Sequence, residues 1–299
     1  MKVGPLGMGF VISLVKGDIK KRRKSYPSRT EFRSFLDVPY IDDKNKYHTY
    51  DVYLADESNR KHCCFIDIHG GSYLFGEHID NYPYAYVLLK AGYDVVLVDY
   101  LPNNGKRDIS DLLRDCVQNM AHLASNLEKY GLLGDKFVMT GDSAGGHLSL
   151  LLSLAMQDEI VAKSIGFELP KLDLLGTVIA CPVYDYSNIG EGAMLNTALR
   201  KMKGPKYKDH QHLDKYSPNK YISYNKLPLF LSTCKLDFIR PESLHLFEDM
   251  KDKNDFVFLD IDSDDKRVDH VHNVIKTKLK ESIRVNNAII EFADKLLKH

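Results

Sequence analysis

Lys136-Phe137-Val138-Met139-Thr140-Gly141-Asp142-Ser143-Ala144-Gly145-Gly146 decides how this chain folds. Lys136–Thr140 is a short apolar run of the kind that forms a buried strand, and Gly145–Gln157 carries a helical pattern. Between them stands a serine in Gly-Asp-Ser-Ala-Gly. A strand that turns sharply into a helix at a serine crowds backbone against side chain, so small residues must flank it. The serine then projects from a helix N-terminus, where the dipole favours developing negative charge. A bare G-x-S-x-G arises by chance about 0.1 times in a chain of this length. The strand–turn–helix setting and the additional Gly146 make the signal specific, and Ser143 is the candidate nucleophile.

On either side of this turn, short apolar runs alternate with helical patterns from about residue 62 onward, the mark of a mainly parallel sheet covered by helices. Strands are expected at Cys63–Ile68, Asp94–Asp99, Lys136–Thr140, Leu175–Cys181, Leu227–Thr233 and Phe256–Ile261. Several are rich in Val, Ile and Phe without alternation, as befits strands buried on both faces. Helices are expected at Asp108–Tyr130, Gly145–Gln157, Glu242–Lys253 and Glu281–Lys298, and Phe35–Tyr40 with Tyr50–Leu54 as an antiparallel pair at the sheet edge. Two segments break the alternation: residues 1–34, with Lys20–Lys24 after the apolar run Met8–Val15, and residues 184–226, rich in Lys, Tyr and His. Connections of that length are usually functional, so both are expected to form a cap over Ser143. The cations between Arg200 and Lys220 either solvate that lid or draw acidic substrates to it.

A serine needs a base, and the base needs an acid to orient it. With a strand–serine–helix turn the chain order is Ser, acid, His. Asp237 follows the strand Leu227–Thr233 at its C-terminal mouth, better placed than Asp249, Asp252 or Asp255. Beyond the last strand stand His270, His272 and the terminal His299; spacing does not separate the first two. Upstream, His69-Gly70-Gly71-Ser72 follows another strand. Glycines there let backbone N–H groups approach a substrate oxygen, so Gly70, Gly71 and Ala144 are the candidate oxyanion donors. His69 reads as structural, and Asp67, inside the strand, has no assigned role.

The set I-H-G-G-S (68–72), V-D-Y (98–100), G-D-S-A-G-G (141–146), L-D (236–237) and H-V-H-N-V (270–274) resembles the hormone-sensitive-lipase-like esterases, the acetylesterase branch of the α/β-hydrolases. The resemblance extends over residues 45–295. It implies one α/β-hydrolase domain across 1–299, with a mostly parallel sheet, helices on both faces and a small cap. It also implies a serine carboxylesterase acting on short acyl esters, with Ser143, Asp237 and His270 as its triad. His270 is chosen because the family places its histidine two residues before an aromatic, whose place His272 takes. The chain departs from the family at Ser72, where H-G-G-G is usual, and at Leu101-Pro102-Asn103-Asn104, where R-L-A-P follows V-D-Y. An arylformamidase or peptidase on the same fold is the rival enzyme reading; Asp142 stands against the first, whose members resemble G-H-S-A-G. A non-catalytic ligand-binding member is the rival outside the enzymes, and the retention of all three triad candidates argues against it.

Composition agrees with this. At 44% apolar and 27% charged residues the chain is ordinary for a globular protein. Its 41 cationic and 41 anionic side chains cancel, so no net field favours nucleic acid or an anionic membrane. Five cysteines without a C-x-x-C pair suit a reducing compartment and suggest neither a disulfide framework nor a zinc site. The flanks of Met8–Val15 are wrong for a signal peptide and no run of about 18 apolar residues occurs, so a cytoplasmic protein without stable membrane insertion is expected. The expected partner is a small-molecule ester, with no cofactor, no metal and no nucleic acid; a homodimer stays open.

Overall fold

Eight strands form one sheet in the order β1-β2-β4-β3-β5-β6-β7-β8 in the computed structural model, which describes residues 17–189 and 196–298. β1 (Arg33–Pro39) and β2 (Thr49–Leu54) form the antiparallel pair at one edge, and β2 also runs antiparallel to β4 (Asp94–Val98). The other five pairings are parallel and join β4 to β3 (Cys63–Ile68), β5 (Lys136–Asp142), β6 (Leu174–Ala180), β7 (Leu229–Cys234) and β8 (Phe256–Ile261). Each expected strand is found, within two residues at its ends.

The apolar runs are explained by burial on both faces. Successive side chains of a strand point to opposite sides. Phe65, Val95, Leu97 and Val138 face one core, with helices α2 (Tyr82–Lys90) and α11 (Lys280–Leu296). Ile66, Val96, Val98 and Met139 face the other, with α3 (Ile109–Ala124), α5 (Ser143–Gln157) and α9 (Arg240–Met250). α5 is the central helix, with thirteen of its fifteen residues buried. Each of its fully buried leucines, Leu148, Leu150, Leu151, Leu152 and Leu154, contributes about 1.5–3 kcal/mol relative to exposure.

The expected helix Asp108–Tyr130 is divided. α3 starts on a reciprocal Asp108–Asp111 capping box and stops at Ala124, and α4 (Leu127–Tyr130) follows. At the break Ser125 Oγ donates to the Ala121 carbonyl at 2.9 Å and Asn126 Nδ2 to the His122 carbonyl at 2.8 Å. Short polar side chains that compete for helix carbonyls favour such ends. A helix at 17–23 (α1) carries most of the Lys20–Lys24 run, and not foreseen were α2, α6 (Glu159–Ile165) and α10 (His272–Ile275). The insertion carries α7 (Asn196–Lys203) and α8 (His210–Asp214). The apolar run Met8–Val15 and residues 190–195 of the expected cap lie outside the described residues.

Candidate active site

β5 delivers Ser143 at the sheet's C-terminal edge, in a left-handed conformation with φ 52°. That backbone is unfavourable for any residue with a Cβ, and it persists only where surroundings enforce it. The enforcement is visible: a Cβ on Gly145 would lie 1.9 Å from the Ile68 carbonyl oxygen, so only glycine lets the helix start this close to β3. The Ser143 carbonyl also accepts from Val183 N at 3.3 Å, tying the turn to the segment after β6.

β7 and the loop beyond β8 bring the other two groups. Leu236 and Asp269 form an isolated bridge that draws their loops together. Ser143 Oγ then lies 2.9 Å from His270 Nε2, and His270 Nδ1 lies 2.6 Å from Asp237 Oδ1. A carboxylate only accepts, so Nδ1 carries the proton and Nε2 is left to accept from the serine. Asp237 also accepts from Thr233 Oγ1 at 2.8 Å and from Ile239 N at 3.0 Å. Burial pushes its carboxyl upward, but the His270 contact, helped by these donors, holds it below the ordinary carboxylate value. His272 points elsewhere. Its Nδ1 meets Ser282 Oγ at 2.9 Å on α11, and burial pushes its imidazole down to about 4.

The glycine turn divides the three oxyanion candidates. Gly70 N donates to Asp142 Oδ1 at 2.9 Å, so this N–H is already engaged and Gly70 becomes a brace rather than a free donor. The N–H groups of Gly71 and Ala144 have no acceptor among the described residues. Gly71 adopts φ 124°, and a Cβ there would lie 1.9 Å from the Phe75 carbonyl oxygen. Glycine is obligatory at that position.

Sequence reasoning missed the supports around these groups. Asn81 Nδ2 donates at 2.8 Å both to Asp67 Oδ2 and to Asp142 Oδ1, which explains the acidic residue inside β3. Burial, reinforced by the Asp142 charge, pushes Asp67 up to about 8. His147 Nε2 meets the Tyr216 carbonyl at 2.5 Å and its Nδ1 the Tyr73 hydroxyl at 2.8 Å. It thereby joins α5, the glycine turn and the insertion. The Phe238 ring, exposed to solvent, stands 4.3 Å from the His270 ring. His69 stacks on Tyr100 at 4.5 Å and lies behind the turn.

Among the described residues two groups bring three metal-ligating side chains within 4.8 Å: Cys181, Asp237 and His270, and Asp37, Asp51 and His78. In the first, the 2.6 Å hydrogen bond occupies the space an ion would need. In the second, Arg29 and His78 already face the Asp51 carboxylate. Neither set fits a resident metal.

Known proteins share this architecture. Esterase B from Lactobacillus rhamnosis superposes with a TM-score of 0.81, at 20% identity, over 99% of this chain and 97% of that one. In sequence, the chain is 22% identical to Lipase 2 of Moraxella sp. (strain TA144) over 219 residues, 64% of this chain and 50% of the relative. It is 27% identical to the probable carboxylic ester hydrolase LipM of Mycobacterium tuberculosis (strain ATCC 25618 / H37Rv) over 181 residues, 59% and 41% of the two. The chain thus spans half or less of the length of these two relatives. The BD-FAE family model matches residues 50–245, a span that holds the glycine turn, Ser143 and Asp237 and stops short of His270. On that match, with the sheet order and the strand–serine–helix turn, the chain belongs to the BD-FAE family and has the α/β-hydrolase fold.

Proposed function

We propose that this chain is a serine carboxylesterase that hydrolyses short-chain acyl esters through an acyl-enzyme. The observation that carries the reading is the hydrogen-bonded row Ser143 Oγ–His270 Nε2 and His270 Nδ1–Asp237 Oδ1; the N–H groups of Gly71 and Ala144 are the proposed oxyanion donors. Ser143 Oγ attacks the ester carbonyl as its proton passes to His270 Nε2. The carbonyl oxygen gathers negative charge against the two N–H groups, and Asp237 stabilises the imidazolium without taking its proton. His270 then protonates the departing alkoxide, which leaves as alcohol. Water, deprotonated by the same nitrogen, releases the acid and restores the serine.

The short-acyl preference is supported by the family resemblance and by the size of α7 and α8, eight and five residues. Residues 1–34 and 184–226 are proposed as the cap. In support, Asn103 Nδ2 donates to the Met202 carbonyl at 3.1 Å, and His212 Nε2 lies 2.8 Å from Asp108. Five unpaired, buried cysteines support a reducing, cytoplasmic location. No helix of the described residues is long and apolar enough to cross a membrane.

The test is a series of p-nitrophenyl esters of increasing acyl length, with wild type and Ser143→Ala. Acetate and butyrate should turn over fastest, and the variant should lose roughly 10⁴–10⁶ in kcat while keeping the wild-type melting curve. Turnover of short esters by Ser143→Ala would overturn the mechanism. A maximum at long chains would overturn the substrate class.

A further inference from the structure

Behind the glycine turn runs a buried row in which acidic side chains alternate with basic ones, and it ends on the N-terminal segment. Arg29 Nη2 bonds Asp51 Oδ2, which also accepts from the Tyr53 hydroxyl at 2.7 Å, while Arg29 Nε donates to that hydroxyl at 2.9 Å. His78 Nε2 lies 3.1 Å from Asp51 Oδ2, and its Nδ1 lies 2.6 Å from Asp99 Oδ2. Asp99 Oδ1 accepts from His78 N at 2.6 Å and lies 3.3 Å from His69 Nε2. His69 Nδ1 donates to the Gly70 carbonyl at 2.6 Å. Asp51, Asp99 and His69 are at most 1% exposed and His78 5%; the Arg29 side chain alone reaches solvent, at 30%. Each carboxylate thus sits between two bases.

The last link matters for chemistry. The Gly70 carbonyl and the Gly71 N–H belong to one trans peptide, so they point in opposite directions. Fixing the carbonyl on His69 fixes where the Gly71 N–H points. The short bond from the His69 N–H to that carbonyl also polarises the amide and strengthens its N–H as a donor. Without Arg29, Asp51 would keep His78 as its one buried cation. His78 would then be drawn from Asp99, and Asp99 would hold His69 less firmly. An unbalanced buried carboxylate is costly, so the row responds as a unit.

We infer that Arg29 is a positioning residue: through Asp51, His78, Asp99 and His69 it orients and polarises the Gly70–Gly71 peptide that faces the developing oxyanion. The inference rests on the hydrolase reading above. It gives the N-terminal segment a role in transition-state stabilisation, which a cover over the pocket would not have.

The experiment uses the full chain and the variants Arg29→Ala, Arg29→Gln, Arg29→Lys and Asp51→Asn. Labelling of Ser143 by a fluorophosphonate is the control, since absence of labelling in the wild type overturns the hydrolase reading and this inference together. With labelling present, kcat for p-nitrophenyl acetate should fall about tenfold in Arg29→Ala, short of the ~10²–10³ for outright loss of an oxyanion donor. KM should stay within about twofold. Affinity for a trifluoromethyl ketone, which forms a tetrahedral adduct, should weaken by the same factor as kcat. Affinity for an N-alkylacetamide, which does not, should hold. Added guanidinium should restore part of the Arg29→Ala loss, and Arg29→Lys should sit between. Should Arg29→Ala fail to fold, Arg29→Gln and Asp51→Asn must show the same split. An unchanged kcat, or equal weakening of KM, kcat and both inhibitors, overturns the inference in favour of a purely structural contact.

Discussion

Ser143 stands at φ 52° and its neighbours are small because the turn has no room for more. That constraint is written in the residue types themselves, so the tight turn that presents Ser143, the proposed nucleophile, was legible. Asp237 was legible from its place after a strand. Between His270 and His272 spacing was silent and only the family resemblance favoured His270, because both lie in the same loop and a loop's path depends on contacts the chain makes far away. Here Leu236–Asp269 pairing and the left-handed Val271, φ 53°, accompany a turn that puts His270 on Ser143 and His272 on Ser282. The proposal that His270 is the base therefore makes unequal predictions. His270→Gln should cost roughly 10³–10⁶ in kcat, and Asp237→Asn about 10⁴, because the imidazole loses its tautomer. His272→Gln should leave kcat nearly intact and lower the melting temperature through the lost Ser282 contact. Steady-state kinetics beside thermal melts check this, and a His272→Gln enzyme as dead as His270→Gln would remove the assignment. Gly70 shows the limit of motif reading. The pattern indicates a donor, but the Asp142 side chain that takes its N–H lies 72 residues away.

At the level of elements, strands were read well because burial on both faces leaves an unbroken apolar run. Helix boundaries were read less well. α2 begins Tyr82-Pro83-Tyr84, a stretch whose aromatic residues do not signal a helix, and it forms because these side chains are buried against the sheet. The elbow shows the same tension between local preference and tertiary space. Alanine is a better helix former than glycine by about 0.8–1.0 kcal/mol, so propensity alone says that Gly145→Ala stabilises α5. The Ile68 carbonyl, 1.9 Å from where that methyl would sit, says otherwise. Overpacking of this kind costs about 1–3 kcal/mol, so the variant should be less stable by that order. It should also lose most of its activity, because α5 can relieve the contact only by moving Ser143 from His270. Urea denaturation and ester turnover measure both; a variant more stable than wild type would contradict the packing described.

Across the whole molecule, a formal charge of zero conceals strongly structured charge inside. Lys203, one of the insertion's cations, is fully buried and donates to the Ser187 carbonyl at 2.7 Å, so the basic stretch is partly internal. Nothing in composition shows such burial, which depends on where the insertion lands. The same hidden arrangement governs stability against pH. Burial pushes His147 down from 6.5 to about 4, only partly opposed by the Tyr216 carbonyl. The unfolded chain therefore binds a proton there below pH 6.5 that the native chain refuses until about 4, and stability falls as pH drops through that window. His78 behaves in the opposite sense. Burial would lower it, but Asp99 and Asp51 carry it to about 10, with Arg29 and Tyr53 around Asp51 on the far side. Its contribution is fully present below 6.5 and is lost as pH rises toward 10, because the native state then holds a proton that the unfolded state has released. His147→Gln keeps a donor for the Tyr216 carbonyl and an acceptor for the Tyr73 hydroxyl, so it should flatten the acid side of the profile by up to about 3 kcal/mol. His78→Gln should be less stable than wild type at pH 6, and the gap should narrow steadily as pH rises to 9.5. Urea midpoints at pH 4.5, 6, 8 and 9.5 for the three proteins decide it. A His78→Gln profile parallel to wild type would mean that this imidazole carries no charge between Asp51 and Asp99.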